Sequence, residues 1–189
     1  MWRRIMYYVV KLALILSPVK VHHRERLPAG ACVVCPNHAA LRDPFCIALA
    51  VGKGEYLHYM TKASYYDKPV IGPFIRSIGA FRVDPEKGYL SAIREAMQYL
   101  KNGEKVCIFP EGTRNRSGTD LEGKAGAAMI AARMHVPIVP TKIENSRKFF
   151  RFVHVTFGEP MYIDAAPRGA GSEAYHEAAD RIMEAIRAL

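Results

Sequence analysis

The feature that most constrains the fold of this chain is the alternation of short β-rich runs with segments of helical periodicity. Such alternation indicates an α/β domain, in which the strands form one sheet and helices cover its faces. The β-rich runs predict strands at 19–23, 31–36, 56–61, 80–84, 105–110, 138–143 and 152–157. The helical patterns lie at 44–51, 70–77, 87–101, 124–134 and 172–189.

Length and charge limit the organisation of the chain and its partners. With 189 residues, half of them apolar, the chain can bury one substantial core, so we expect a single domain. The 27 Lys and Arg outnumber the 18 Asp and Glu, which favours an anionic partner: a phosphate-bearing substrate, an acidic membrane surface or nucleic acid. Neither a nucleic-acid reader motif nor a lysine-rich helix is found, so we expect no nucleic-acid partner.

Residues 1–18 predict a separate N-terminal element. Their apolar run at 5–16 is interrupted only by Lys11 and would span about 18 Å as a helix, too short to cross a bilayer. The segment Ser17-Pro18-Val19 lacks the small-residue pattern of a cleavage site, so we expect no signal peptide. Flanking basic and aromatic residues favour a membrane-interfacial helix, with a core helix carrying a basic cap as the alternative. The main domain would then comprise residues 19–189.

The four cysteines are interpreted as small core residues in a reducing compartment. Cys32 and Cys35 have the spacing of a metal or redox pair. In a strand, however, residues three apart point to opposite faces, and no second ligand pair follows. We therefore expect no metal site.

A histidine and an aspartate follow the second predicted strand. In Asn37-His38-Ala39-Ala40-Leu41-Arg42-Asp43-Pro44, Asp43 can orient the His38 ring and stabilise its protonated form if the loop folds back. An aspartate before a proline is also typical of a helix N-cap, and both roles can hold together. In parallel sheets, ligands collect beyond the carboxyl ends of the strands, where this segment lies.

A second polar segment follows the predicted strand at 105–110. Glu111, Gly112, Thr113 and Arg114 place a carboxylate, a flexible glycine and a guanidinium on one turn. Arginine suits phosphate oxygens, and glycine lets backbone N–H groups approach an anion. The alternative is a solvated basic loop in which Glu111 pairs with Arg114.

Four ordered blocks of the sequence resemble those of the glycerolipid acyltransferases, the 1-acylglycerol-3-phosphate acyltransferase group. The blocks are Asn37-His38-x4-Asp43, Gly79-Ala80-Phe81-Arg82-Val83-Asp84, Phe109-Pro110-Glu111-Gly112-Thr113-Arg114 and Val136-Pro137-Ile138-Val139-Pro140. Lys62, Lys124-Ala-Gly126 and Phe157-Gly158-Glu159-Pro160 are also similar to residues of that family. The resemblance runs from about residue 20 to residue 160.

The resemblance implies a glycerol-3-phosphate acyltransferase-like fold with a mixed, mostly parallel sheet of about seven strands. It implies that His38 is the general base and Asp43 its charge partner, and that Arg114, Glu111, Gly112 and Thr113 bind the substrate phosphate and glycerol. Asn37 and Pro137 would support the motifs. The implied reaction is acyl transfer from acyl-CoA or acyl carrier protein to a lysophosphatidate-type lipid, without a cofactor, at the cytoplasmic face of the cell membrane.

The sequence departs from the family pattern at two positions. Many members have serine where this chain has Ala40, and the second block commonly ends in arginine where Pro85 stands. Arg82 or Lys62 would then be candidates for the second phosphate-binding cation, with Arg116 as a further substitute. Strand periodicity puts position 82 on the opposite face from position 85.

The chemistry predicted for these residues is direct attack of a lipid hydroxyl on a thioester. No GxSxG segment is present, so no acyl-enzyme on a serine is expected. The acceptor remains open among lysophosphatidate, glycerol 3-phosphate and another lysophospholipid. A membrane-surface binding protein that keeps the fold without turnover is the rival from a different class.

Overall fold

The structure is a computed structural model that describes residues 2–55, 57–69, 71–84, 86, 88–115, 122–167 and 172–189. The described residues leave out Pro85 and Arg116, and also Tyr56, Val70 and Lys87, at which three predicted elements begin. For Trp2, Arg3, Arg4, Met6, Tyr7 and Ala13 only the backbone is described.

Every predicted strand is present, with ends shifted by a few residues. The strands are β1 (Val19–His22), β2 (Val33–Pro36), β3 (Leu57–Lys62), β4 (Ala80–Val83), β5 (Lys105–Cys107), β6 (Ile138–Glu144) and β7 (Val153–Phe157). The largest difference is at β5, which ends at Cys107 instead of reaching position 110. Pro110 has no N–H to donate to a neighbouring strand, and the chain already turns toward Glu111 there.

The seven strands form one sheet in the order β1-β7-β6-β2-β5-β3-β4. Strands β2 to β6 all run in the same direction, whereas β7 pairs antiparallel with β6 and parallel with β1. The predicted mixed, mostly parallel sheet is confirmed. We call the end at which β2 to β6 terminate, and at which β1 and β7 begin, the carboxyl end of the sheet.

The predicted helices are also present, together with one that the sequence did not indicate. The α-helices are α1 (Trp2–Ala13), α2 (Asp43–Val51), α3 (Ala63–Tyr66), α4 (Ile71–Ser77), α5 (Leu90–Lys101), α6 (Gly126–Met134) and α7 (His176–Ala188). Short 3-10 turns occupy Arg24–Arg26 and Ser172–Tyr175. The missed helix, α3, is a single turn of four residues, too short to show a helical period.

Two apolar clusters cover the two faces of the sheet. Phe81, Ile130 and Ile182 belong to the cluster beneath α5, α6 and α7, and Ile47 and Phe157 to the cluster beneath α2. Each of these side chains is almost completely buried, which stabilises the fold by about 1.5–3 kcal/mol per residue. The helices and strands are thus held by burial on both sides of a central layer.

The alternation of side chains along β2 separates the two cysteines of the CxxC segment. Cys35 lies in the cluster beneath α5 to α7, whereas Cys32 lies in the cluster beneath α2. All four cysteines are buried and reduced. The interpretation of Cys32 and Cys35 as core residues on opposite faces is confirmed.

Helix α1 packs on α2 and α4 and leaves one side exposed. Val10 is buried and Lys53 Nζ donates a hydrogen bond to Tyr8 Oη at 2.8 Å, while Ile5, Val9 and Leu12 are exposed. Within the described ranges, none of the helices combines the length and the apolar character that a membrane crossing requires. The interfacial role of α1 stays a prediction.

A buried ion pair at the opposite end of the sheet yields a test of stability. Lys105 is 2% exposed, and its Nζ donates to Glu55 Oε2 at 2.6 Å and to Ala29 O at 3.3 Å. Glu55→Ala would leave this ammonium buried without its carboxylate. Because Glu55 is itself 37% exposed and water can reach the gap, we expect a loss of about 1–3 kcal/mol in unfolding free energy.

Lys105→Met is the informative counterpart, because it replaces the buried charge with an apolar chain of similar length. We expect this variant to stay within about 1 kcal/mol of the wild type in urea unfolding. Glu184→Ala, on the exposed side of α7, serves as the control for loss of a glutamate. Equal losses for Glu55→Ala and Glu184→Ala would contradict this interpretation of the ion pair.

Candidate active site

The position of the chain leaving β2 is fixed by the side chain of Asn37. Its Nδ2 donates to Ile143 O at 3.1 Å, and its Oδ1 accepts from Ile143 N at 2.6 Å. The amide therefore continues the pairing of β2 with β6 after the last paired residue of β2, Pro36. His38 follows at once, so the sheet itself sets its place at the carboxyl end.

Asp43 organises the loop after His38 through one oxygen. Its Oδ2 accepts hydrogen bonds from His38 Nδ1 at 2.9 Å and from the backbone N–H groups of Ala39 and Ala40, both at 2.7 Å. The side chain is fully buried. The loop thus folds back as the histidine interpretation required.

The N-cap interpretation of Asp43 is wrong. The N-cap of α2 is Arg42, and Asp43 is the first residue of the helix with Pro44 after it. No side chain caps this helix end; the Asp43 carboxylate bonds instead to the preceding loop. The departure at Ala40 leaves this arrangement intact, because the donor at that position is the backbone.

The His38 ring is held by two contacts. Its Nδ1 bonds to Asp43, and its face stacks on Phe109 with ring centroids 4.1 Å apart and an interplanar angle of 26°. A carboxylate can only accept, so Nδ1 carries the proton and Nε2 is the basic nitrogen. The side chain retains 17% exposure. The ring is therefore oriented, partly shielded and still accessible.

Glu111 lies directly against the backbone of His38. Its Oε1 accepts from His38 N at 3.2 Å, while Oε2 is buried with no hydrogen-bond partner among the described residues. Burial raises the pKa of this carboxyl above its ordinary value, against the lowering effect of the His38 N–H. Glu111 thus places a carboxylate against the backbone of the histidine, with its second oxygen buried and unpaired among the described residues.

The turn after Glu111 requires a glycine. Gly112 has φ +65°, and a Cβ at this position would lie 2.7 Å from Cδ of Lys124. Lys124 is held against the turn because its N–H donates to Pro110 O at 2.8 Å. Thr113 is exposed at the tip of the turn. The turn therefore packs closely under a lysine side chain.

Arg114 and Lys62 come to the carboxyl end from two different strands. Arg114 Nη2 donates to Tyr65 Oη at 3.0 Å, and Tyr65 lies on α3, three residues after Lys62 at the end of β3. The Lys62 side chain is exposed. The segments after β3 and β5 are thus joined near the turn, with cations on both.

Arg82, whose role as a phosphate ligand stays a prediction, has two carboxylate partners in the structure. Its guanidinium forms ion pairs with Asp67 at 3.0 Å and Asp84 at 3.2 Å. The hydrogen bonds that the guanidinium donates to Asp67 raise its pKa further. Its charge is thus already matched by two carboxylates. Of the other positions considered for this role, Lys62 is exposed at the end of β3, whereas Pro85 and Arg116 lie outside the described residues.

Pro137 lies away from this cluster. Its carbonyl accepts from Val33 N at 2.9 Å, at the start of β2 and β6 and therefore at the opposite end of the sheet from His38. Its block supports the entry into β6 and does not reach the site.

Two arginines that the sequence analysis did not single out brace the loop carrying His38. Arg42 donates to the backbone oxygens of Ser146 and Lys148, and Arg147 donates to Ala39 O at 3.1 Å and to Asn115 O. Asn115 N in turn donates to His38 O at 2.7 Å. These contacts join segments that are 32 or more residues apart, so no local pattern could have indicated them.

The chain is similar to known proteins in sequence and in fold. The family model described as Acyltransferase matches residues 18–144. The chain is 36% identical over 152 residues to the 1-acyl-sn-glycerol-3-phosphate acyltransferase of Bacillus subtilis, covering 76% of this chain and 74% of that protein. It is 31% identical to the probable 1-acyl-sn-glycerol-3-phosphate acyltransferase of Mycoplasma pneumoniae, covering 74% of this chain and 55% of that protein.

A solved structure extends the similarity to the whole chain. The crystal structure of the 1-acyl-sn-glycerophosphate (LPA) acyltransferase PlsC from Thermotoga maritima superposes with a TM-score of 0.70 at 26% identity. The superposition covers 99% of this chain and 80% of the Thermotoga chain.

The buried carboxyl of Glu111 yields a test based on pH. A carboxyl whose pKa is raised on folding contributes stability below its ordinary value of 4.5, and this contribution is lost as the pH rises through the raised value. Glu111→Gln keeps an oxygen for His38 N but cannot ionise. We therefore expect the stability of the variant relative to wild type to increase between about pH 4 and about pH 7.

The measurement is urea unfolding at both pH values, with Glu184→Gln as a matched exposed control. The control difference should not change with pH, because that carboxylate remains in water. A pH-independent difference for Glu111→Gln would show that burial does not perturb this group.

Proposed function

The chain belongs to the acyltransferase family, and from this premise we propose that it transfers a fatty acyl group from an acyl thioester to the free hydroxyl of 1-acylglycerol 3-phosphate, giving phosphatidate. The observation that carries the proposal is the hydrogen bond of 2.9 Å from His38 Nδ1 to buried Asp43. The acceptor is inferred from the names of the relatives and from the cations near the Glu111 turn.

In the proposed mechanism, His38 Nε2 takes the proton of the lipid hydroxyl as its oxygen attacks the thioester carbonyl. The carbon–sulfur bond of the tetrahedral intermediate then breaks, and the leaving thiolate receives the proton from His38. Asp43 stabilises the positive ring between these two transfers. Because the attacking oxygen comes from the acceptor itself, the protein supplies no nucleophile.

Binding of the glycerol phosphate is assigned to the turn at 111–114 and to the end of β3. Arg114, oriented by Tyr65, would bind the phosphate as a planar fork, and Lys62 would add a second positive charge. Glu111 Oε2 would accept a hydrogen bond from a glycerol hydroxyl. Together these contacts would hold the hydroxyl beside His38, which accelerates transfer by positioning.

The proposed location is the cytoplasmic face of the cell membrane, with α1 lying in the interface. Its exposed residues Ile5, Val9 and Leu12 would contact lipid, while the buried Val10 faces the domain. The acyl donor is proposed to be acyl-CoA or acyl carrier protein, both acidic and suited to a chain of net charge +9. No cofactor takes part in the proposed reaction.

Activity measured over a matrix of donors and acceptors tests the proposal as a whole. Acyl-CoA and acyl carrier protein would each be paired with lysophosphatidate, glycerol 3-phosphate and lysophosphatidylcholine, using the purified chain in detergent or liposomes. We expect lysophosphatidate to be the preferred acceptor. Preference for glycerol 3-phosphate or lysophosphatidylcholine would replace the acceptor assignment, and no transfer in any pairing would favour the binding-protein alternative.

The catalytic roles of His38 and Asp43 are tested by a pair of substitutions. His38→Ala removes the base and Asp43→Asn removes the charge while keeping an oxygen for the N–H groups of Ala39 and Ala40. We expect kcat to fall by about 10²–10⁴-fold in each variant, with the unfolding transition largely preserved for His38→Ala.

Asp164→Asn, in an exposed loop, is the control and should retain full activity. If Asp43→Asn kept wild-type turnover with unchanged folding, the paired role of these residues would have to be abandoned.

The phosphate role of Arg114 is tested by comparing acceptors with and without a phosphate. We expect Arg114→Ala to raise KM for lysophosphatidate by about 10-fold to 100-fold, corresponding to loss of a charge-assisted contact, with little change for monoacylglycerol. Tyr65→Phe should act in the same direction but more weakly, since it only frees the guanidinium.

Arg94→Ala, exposed on α5, controls for loss of one positive charge. An equal effect of Arg114→Ala on both acceptors would show that this residue does not recognise the phosphate.

A further inference from the structure

The loop between β6 and β7 carries an exposed aromatic cluster at the carboxyl end of the sheet. We call residues 145–152 the aromatic loop. Phe149 is 72% exposed, Phe150 is 78% exposed and Phe152 is 47% exposed. Because β6 ends and β7 begins at the carboxyl end, these rings lie at the same end as His38. Three neighbouring phenylalanines in water are unfavourable unless a partner covers them.

The backbone of the aromatic loop is strained in a way that displays one of these rings. Phe150 has φ +60°, a left-handed conformation that bulky residues rarely adopt. Such a conformation at a residue other than glycine persists only where the surroundings hold it. Here it exposes a ring that would otherwise gain by burial. Both features point to an interaction that the ring makes outside the chain.

The loop is fixed to the loop that carries His38. Arg42, the residue before Asp43, donates to Lys148 O at 2.5 Å and lies over the Phe149 ring at 5.1 Å. Arg147 ties the aromatic loop to Ala39 and Asn115. The aromatic rings therefore have a set position relative to His38.

The aromatic loop also adjoins the start of β1. Val153 N donates to Pro18 O at 3.0 Å, and Lys20 Nζ lies 4.1 Å from the centroid of the Phe152 ring. Just before Pro18, Ile15 and Leu16 are 64% and 60% exposed. A second exposed apolar pair thus lies within three residues, along the chain, of the segment that the aromatic loop contacts.

The charge around these rings indicates the chemistry of the partner. Arg147, Lys148 and Arg151 flank the phenylalanines, and the segment 145–152 contains no acidic residue. Basic side chains interleaved with exposed aromatic rings suit the surface of an anionic bilayer. There the cations contact headgroups while the rings enter the acyl boundary.

We propose that the aromatic loop is a second membrane-docking element, which inserts Phe149 and Phe150 into an anionic bilayer and sets the carboxyl end of the sheet against it. The inference deepens the proposed function, because a site held at the lipid surface can receive an acceptor that stays partly in the bilayer. The braces from Arg42 and Arg147 make docking of this loop and the position of the His38 loop parts of one rigid arrangement.

The first test measures binding of the full chain to vesicles and needs no turnover. The vesicles contain phosphatidylcholine with or without phosphatidylglycerol. We expect the double variant Phe149→Ser/Phe150→Ser to lose roughly tenfold in partition onto the anionic vesicles. We expect Lys148→Gln/Arg151→Gln to lose the preference for phosphatidylglycerol. Unchanged partition of the phenylalanine variant would overturn the proposal, whatever the acyltransferase assays show.

Tyr162→Ser is the matched control. Tyr162 is an aromatic residue of 69% exposure next to Met161, which bridges to Ile138 at the opposite end of the sheet. The partition of Tyr162→Ser onto the anionic vesicles should stay within about twofold of wild type. If Tyr162→Ser lost as much partition as the loop variant, exposed rings would adsorb to the vesicles nonspecifically, and this result would also overturn the proposal.

Insertion itself is measured with a tryptophan placed in the loop. Both variants are made in a Trp2→Phe background, so that each contains one tryptophan. The tryptophan fluorescence of Phe149→Trp should be quenched by lipids brominated along the acyl chain, whereas that of Tyr162→Trp should not. Absence of quenching in the bound state would contradict insertion. Sedimentation in the absence of lipid completes the design: if wild type were a dimer and Phe149→Ser/Phe150→Ser a monomer, the loop would be a self-association surface instead.

Discussion

One buried oxygen holds the site together: Oδ2 of Asp43 accepts three hydrogen bonds, from the His38 ring and from two successive backbone N–H groups. The backbone bonds close the loop, and the ring bond fixes which nitrogen of His38 is basic. An aspartate that only capped α2 could not have done this. Because the same oxygen serves loop shape and ring orientation, the geometry of the His38 ring follows directly from the folding of the loop.

The family blocks divide into two groups once the sheet direction is known. The blocks with His38 and Glu111 follow β2 and β5, which are adjacent and parallel, so the ends of these strands deliver both segments to one place. The block with Pro137 begins just before β6, and Pro137 lies at the other end of the sheet, where it supports strand entry. The resemblance alone does not distinguish these blocks. The topology does, because His38 and Glu111 lie where a substrate can bind, whereas Pro137 supports the sheet.

The sequence predicted the strands, most helices, the mostly parallel sheet and the meeting of His38 with Asp43. These depend on short-range periodicity and on residues five positions apart, which a linear pattern records. It did not predict the single turn α3, and hence the contact of Tyr65 with Arg114. Nor could it predict that Arg82 pairs with Asp67, or that Arg147 braces the loop with His38, because these partners meet only after the chain has folded.

The second family block commonly ends in arginine where this chain has Pro85, so the distribution of positive charge differs from the family pattern. A pattern with arginine after β4 would deliver positive charge from the outermost strand of the sheet, next to β3. In this chain the arginine on β4 is bound by Asp67 and Asp84, whereas Arg114, Lys62 and Lys124 come from segments nearer the His38 loop. Since electrostatic attraction of a phosphate depends on where the charges lie and not on which strand supplies them, the proposed phosphate site draws its charge from the segments after β3 and β5. In that proposal the phosphate lies nearer the centre of the sheet than the end of β4, beside the turn at Gly112.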